Sequence, residues 1–274
     1  MKNELEKYRT MGEQLEKYIR PATFPLAVKL LKNNTPVDFP YKNPSRDLGL
    51  QNFVCQNFKM ARSYGWTIKI GPEDINCRSA RAIYRWDNAS GDVSGGLREF
   101  AVGLYGKDSD TLDKSLKNLY PVEEEISGLV ISPLTRTKVI PDVVQVYCLP
   151  AQAMRLIQGY LYHEGGVLEF TAAGRTGSCH EGITKPMITR KPQLVILGNG
   201  DRVWGGAQDS EVMFSCPREK LEILMDGLKM THDAGLRYPV PAYMNYSPGF
   251  QENFEEAALK RSGVTLVKKD TGDR

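Results

Sequence analysis

Two stretches in the second half of the chain decide the fold. They are PDVVQVYCLPAQAMRLIQGYL, Pro141 to Leu161, and SEVMFSCPREKLEILMDGL, Ser210 to Leu228. Each opens on an apolar run of strand length, passes a cysteine and a proline, and continues with apolar residues at helical spacing. Proline is suited to the first helical position, where the missing N–H would have had no partner. With Pro150 set against Pro217, Met154 meets Leu221, Leu156 meets Ile223, Ile157 meets Leu224 and Leu161 meets Leu228. The pattern predicts two similar strand-to-helix units. Internal duplication and a chance match of two amphipathic helices both account for it.

Between the units, VLEFTAAGRTGSCHEG reads as a strand running into a glycine-rich loop, and PQLVILGNGDRVWGG as a hairpin turning at Asn199-Gly200. Asn-Gly accepts the positive φ angles of a tight hairpin turn. Toward the N-terminus, Glu4 to Ile19 is amphipathic, with Leu5, Tyr8, Leu15, Tyr18 and Ile19 largely on one face, and Pro21 stops it. Pro25 to Leu31 and Trp66 to Ile70 read as strands, separated by a polar loop from Asn33 to Asp47 and by FVCQNFKMARSYG, a helix ending at Gly65. GPEDINCRSARAIYRW predicts a turn and a helix, with Pro72, Glu73 and Asp74 suited to the positive end. Trp86 to Gly96 is a polar loop and Ser127 to Leu134 a further strand. Arg237 to Phe250 reads as extended, and Gln251 to Arg261 as a closing helix. The expected class is α+β, with a mixed or antiparallel sheet. One domain over residues 1–274 is expected, with its softest boundary near the Trp86–Gly96 loop or in the acidic segment at residues 121–128.

The 41% hydrophobic and 25% charged fractions allow an ordinary core. A net charge of +3 comes from 36 basic and 33 acidic residues that are interleaved, so the concentrated basic stripe of a nucleic-acid binder is missing. No apolar run approaches the roughly 20 residues that span a bilayer. The charged start MKNELEKYRTMGEQLEKYIR lacks a signal segment, so a cytoplasmic location is expected.

Cys55, Cys77, Cys148, Cys179 and Cys216 are odd in number and widely spaced, which argues against a disulfide framework. Cys55 and Cys77 fall near predicted helix starts, where backbone N–H groups favour a thiolate, the form that binds soft metals and iron–sulfur clusters. Arg62 and Arg78 add positive potential there. Cys179 sits in GRTGSCHE beside Arg175 and His180, the further candidate contacts for an anion or ligand. Cys148 is the candidate fourth ligand. Cys216, at a strand end, reads as core. Plain burial is the alternative for all of them, because free cysteine is among the most buried residue types and no pair has C-x-x-C spacing. None of His163, His180 and His232 has a histidine at i+4, which excludes a zincin-like site. The glycine stretches lack the lysine of a P-loop and the G-x-G-x-x-G of a dinucleotide site.

Taken in order, VCQNFKMARSYGWTIKIGPEDINC, PDVVQVYCLPAQAMRLIQGYLYHEGG, GSCHEGITKP and GDRVWGGAQDSEVMFSCPREKLEILMDGL resemble the domain of unknown function 169 family, over about Phe24 to Leu228. The resemblance implies a setting in anaerobic archaea or bacteria. It also implies that Cys55, Cys77 and Cys179 match family cysteines, whereas the position of Cys148 is usually another residue and Cys216 is peculiar to this chain. It brings no assigned activity with it. The leading expectation is an iron–sulfur or metal-binding protein with a redox or Lewis-acid role, its partner a redox protein or a small molecule. A small-molecule-binding protein without metal and a cysteine-dependent enzyme using Cys179 are the alternatives.

Overall fold

The computed structural model describes residues 2–32, 35–87 and 101–240. An antiparallel sheet of six strands forms its middle layer: β1 (Leu26–Lys32), β2 (Ile68–Ile70), β3 (Ile126–Pro133), β4 (Val143–Cys148), β5 (Gln193–Val195) and β6 (Val212–Pro217), in the order β2-β3-β1-β4-β6-β5. β1 and β2, which precede residues 121–128, interleave with β3 and β4 in the order β2-β3-β1-β4. β3 and β4 are buried along nearly their whole length, as expected of strands covered on both faces.

Each face has its own core. On one, Leu26, Val28, Ile131, Tyr147 and Met213 meet α3 (Val54–Tyr64) and α4 (Arg78–Ile83) through Phe58, Ala61 and Ile83. On the other, Ala27, Val144, Val146 and Phe214 meet α1 (Lys2–Ile19), α6 (Pro150–Glu164) and α9 (Arg218–Asp233). Fully burying one such aliphatic or aromatic side chain stabilises the fold by about 1.5–3 kcal/mol. Tyr8, Leu15, Tyr18 and Ile19 of the expected α1 stripe turn into this second core together with Met11, whereas Leu5 is only half-buried.

The two strand-to-helix units lie side by side. β4 pairs antiparallel with β6, Val146 opposite Phe214, and α6 packs on α9. Where the helices cross, a Cβ placed on Gly227 would sit 1.9 Å from the Gly159 carbonyl oxygen, so glycine is required for that approach. The buried positions match as Ala153 with Leu221, Leu156 with Leu224, Gly159 with Gly227 and Tyr160 with Leu228. The units therefore correspond one residue away from the proline-on-proline alignment, which also sets Cys148 against Cys216. Proline marks where a helix begins but not which residue it begins on.

Three expectations are corrected. Val167 to Phe170 is not a strand; it is irregular, and Val167 is largely exposed. GSCHEG is not a loop: Gly177–Thr184 forms a buried π-helix, followed by α7 (Lys185–Thr189). Asn199-Gly200 does not turn a hairpin but opens α8 (Asn199–Val203), because the Asp201 carboxylate accepts the Gly198 N–H at 3.0 Å and caps a helix. The polar loop from Asn33 also contains α2 (Pro44–Leu48), capped by Asn43 accepting from the Arg46 N–H at 3.0 Å. A further short helix, α5 (Ser109–Leu116), is capped by Asp108. Most of the Trp86–Gly96 loop, the extended segment beyond Val240 and the closing helix at Gln251–Arg261 lie outside the described residues. Among the described residues, no helix is long and apolar enough to cross a membrane.

Candidate functional site

Cys55 is the second residue of α3, whose start is fixed by the Gln56 side chain accepting the Phe53 N–H at 2.8 Å. Cys77 is the residue that caps α4. Cys179 lies in the π-helix, which is tied to the sheet: Gln145 on β4 donates its Nε2 to the carbonyls of Ser178 (2.8 Å) and Gly182 (3.0 Å), and Ser215 on β6 donates to Gly182 (2.6 Å). All three cysteines and Asp201 of α8 line one cavity of about 530 Å³. Glycines make this convergence possible. A Cβ on Gly177 would lie 2.6 Å from the Asp201 Oδ2, and one on Gly205 would lie 3.0 Å from the Cys55 Cβ.

The sulfurs are held as neutral thiols. Burial pushes the Cys55, Cys77 and Cys179 thiols up from the ordinary range; Asp201 raises all three further, Cys77 raises Cys55 and Cys179, and Cys55 raises Cys179. Cys55 donates its S–H to the Gly200 carbonyl at 3.3 Å. The amides of Ala80, Ser79 and Val54 work in the other direction on Cys77, favouring its thiolate. Burial also raises the Asp201 carboxyl, against the hydrogen bonds from the Ser178 hydroxyl and the Gly198 amide. Among the described residues, no three His, Cys, Asp or Glu side chains stand close enough to share one metal ion.

The other candidates separate cleanly. Cys148 and Cys216 belong to the core on the opposite face of the sheet, so Cys148 is not brought to the trio. Burial pushes its thiol to about 12. Arg62 is buried too, paired with both Glu211 oxygens at 2.9 and 3.2 Å and lying 4.2 Å over the Tyr147 ring. Its charge is therefore already matched. Arg78 is exposed and lines the cavity, and Arg175 lines it from a buried position. His180 is held neutral, its imidazole driven down to about 4 by burial and then by Lys185 and Arg175, and its Nε2 accepts the Tyr120 N–H at 2.9 Å. His163 pairs with Asp226 at 2.7 Å on the α6–α9 layer, away from Cys179.

The residues that sequence reasoning did not count as a site are Ser178 and the stacked pair Phe53 and Trp204, whose rings lie 4.2 Å apart and within 4° of parallel at the cavity wall; Asp201 reads from sequence as a surface ion pair or a pocket residue, and it is the second. Asp201 had one visible sign, an acid three residues after Gly198.

The family model for the domain of unknown function 169, described as uncharacterised ArCR, matches residues 14–227, which take in nearly the whole sheet-and-helix body and all three cavity cysteines. The chain belongs to this family. A curated relative, uncharacterized protein MJ0308 of Methanocaldococcus jannaschii, is 27% identical over 205 residues, covering 74% of this chain and 86% of that protein. No solved structure gives a significant match. In this domain of unknown function 169 protein, the matched segment begins inside α1 and ends at the α6–α9 glycine crossing.

Proposed function

We propose that Cys55, Cys77 and Cys179 hold an iron–sulfur cluster at the cavity wall, with a redox or Lewis-acid role at a position left open toward the cavity. The observation that carries this reading is the sorting of the cysteines. Three from distant segments line one cavity, while the other two are sealed on the opposite face. A single four-coordinate ion needs sulfurs about 3.8 Å apart, given metal–sulfur bonds near 2.3 Å. Among the described residues no three such side chains stand that close, so binding a cluster would have to draw the three cysteines together. Three protein ligands leave one position for another molecule, the feature of catalytic rather than structural metal sites. Loading requires the thiol protons to leave, so uptake rises with pH.

The test is purification without oxygen, followed by visible absorption and iron, zinc and sulfide analysis. Stoichiometric iron and sulfide are expected, lost in Cys55→Ser, Cys77→Ser and Cys179→Ser and kept in Cys148→Ser. A protein that stays colourless and metal-free after anaerobic reconstitution ends the reading. A small-molecule site without metal is the second reading, favoured by the apolar side chains that line most of the cavity. Its signature is a thermal shift with candidate metabolites that persists in the triple serine variant. A Cys179 nucleophile has three features against it: the thiol is buried, its ionisation is disfavoured, and His180 already uses Nε2 to accept an amide.

A further inference from the structure

The wall of the cavity opposite in charge to Asp201 has no partner of its own. Arg175 is only 8% exposed, yet it makes no ion pair among the described residues and its Nη2, shielded from solvent, has no hydrogen-bond partner. A buried guanidinium nitrogen left unmatched costs stability and calls for an explanation. Glu181 attracts it through space without closing a salt bridge, and uses one oxygen to accept the Ala173 N–H at 2.9 Å. The backbone is fixed around it. Gly174 and Thr176 on either side have φ of +67° and +50°, and the Arg175 Cα packs so closely on Gly198 that a Cβ there would lie 2.8 Å away. The guanidinium lies 5.4 Å over the ring of Tyr105, another wall residue. Arg78 adds a second cation on the same wall, exposed and without a salt bridge among the described residues. Asp201, the one acid on the described wall, is already engaged by Ser178 and Gly198. The rest of the wall includes Phe53, Leu104, Leu116, Leu119 and Trp204.

We infer that this cavity binds a small organic anion, a molecule with a carboxylate or phosphate group paired to Arg175 and an apolar body laid against the Phe53–Trp204 side. Guanidinium is the side chain whose planar fork matches both oxyanions. Arg78 attracts the anion from the mouth. Arg175 supplies the buried pairing. The inference goes beyond the cluster reading and does not need it, because the anion contacts and the thiol contacts fall on different residues of the same wall.

The experiment is titration calorimetry of the whole protein with phenyl phosphate and benzoate as probes and benzyl alcohol as the neutral control, repeated on the Cys55→Ser/Cys77→Ser/Cys179→Ser variant. At least one anion is expected to bind with a Kd of about 1 mM or tighter and to outbind benzyl alcohol. Arg175→Gln should weaken that anion about tenfold or more and leave benzyl alcohol unchanged; Arg175→Lys should recover part of the loss, and Arg78→Gln should cost about two- to threefold. A melting curve for each variant separates lost binding from lost fold, and Arg78→Gln, at an exposed site, remains informative if the Arg175 variants do not fold. Absence of anion binding at roughly 10 mM overturns the inference, as does unchanged affinity in folded Arg175→Gln or, failing that variant, in Arg78→Gln. Iron lost with anion binding kept in the triple serine variant supports both readings. Anion binding kept in a protein that never holds iron supports this one alone.

Discussion

The two faces of the sheet hold the same residue type in opposite circumstances. Toward α6 and α9, Cys148 and Cys216 sit in matched positions of the two units, closed in by Val146, Phe214 and Leu221, and behave as small apolar side chains. Toward α3 and the π-helix, Cys55, Cys77 and Cys179 share a wall with a carboxylate and two arginines, and buried polar atoms without partners collect nearby at Arg175, His180 and Glu181. The first face leaves only scattered atoms unpartnered, such as Glu16 Oε1 on α1 and His232 Nδ1 on α9. The other leaves several unsatisfied in one place, which is where natural proteins depart from local consistency for function.

The sharpest way to break that comparison is at Arg62, which lies on the cavity-side face but is already paired. Arg62→Met strands Glu211 without its cation and should cost about 3–5 kcal/mol in urea denaturation, with Glu211→Gln added to the variant recovering part of it. If Arg62→Met is instead harmless and iron content falls, Arg62 belongs with the cavity cations after all.

The next effect is a pH dependence. His180 has a folded pKa of about 4 against an unfolded value of 6.5, so between these values only the unfolded chain binds the proton. Its contribution is complete above about 6.5 and is lost as pH falls toward 4, amounting to about 3 kcal/mol at the lower end. The raised carboxyls of Asp201 and Glu181 act in the opposite sense, so the decisive measurement is the difference between wild type and His180→Gln across this window. Parallel stability curves would remove His180 from the set of groups buried neutral.

The smallest effect compares the faces directly. Cys148→Ser and Cys216→Ser each place a hydroxyl in an apolar core, Cys216 with only the Pro217 carbonyl at 3.5 Å to receive it, and should lower stability by about 1–2 kcal/mol. Cys55→Ser is half-buried and keeps the Gly200 carbonyl as a partner, so it should cost less than about 1 kcal/mol while altering what the cavity binds. Equal costs at all these positions would mean that the faces do not differ in the way described.

Much of the fold was legible because it is locally encoded. The apolar stripe of α1, Gly65 closing α3 in a left-handed conformation, and the two strand-proline-helix units all follow from spacing and caps within a few residues. The π-helix was not legible because what stabilises it is remote: Gln145 and Ser215 reach it from strands on either side of it in sequence, while its own glycines read as a loop. Asn199-Gly200 misled for a related reason, since Asp201 turned a hairpin dipeptide into a helix start. Family resemblance set Cys148 apart from the other three candidate ligands, and its burial on the α6 side of the sheet supplies the physical counterpart.

The π-helix has one last consequence, for insertion and deletion rather than substitution. Its wide turns accommodate one residue more than α-helical winding would. Removing a single residue between Gly177 and Cys179 and letting the segment tighten would swing the sulfur by about 100° around the helix axis, the angular step of an α-helix. The residue removed is Ser178, so its hydrogen bonds to Asp201 would go as well, and the thiol would leave the cavity wall with Cys179 itself unchanged. Chain length across eight residues, more than the identity of any one of them, sets where the third sulfur points.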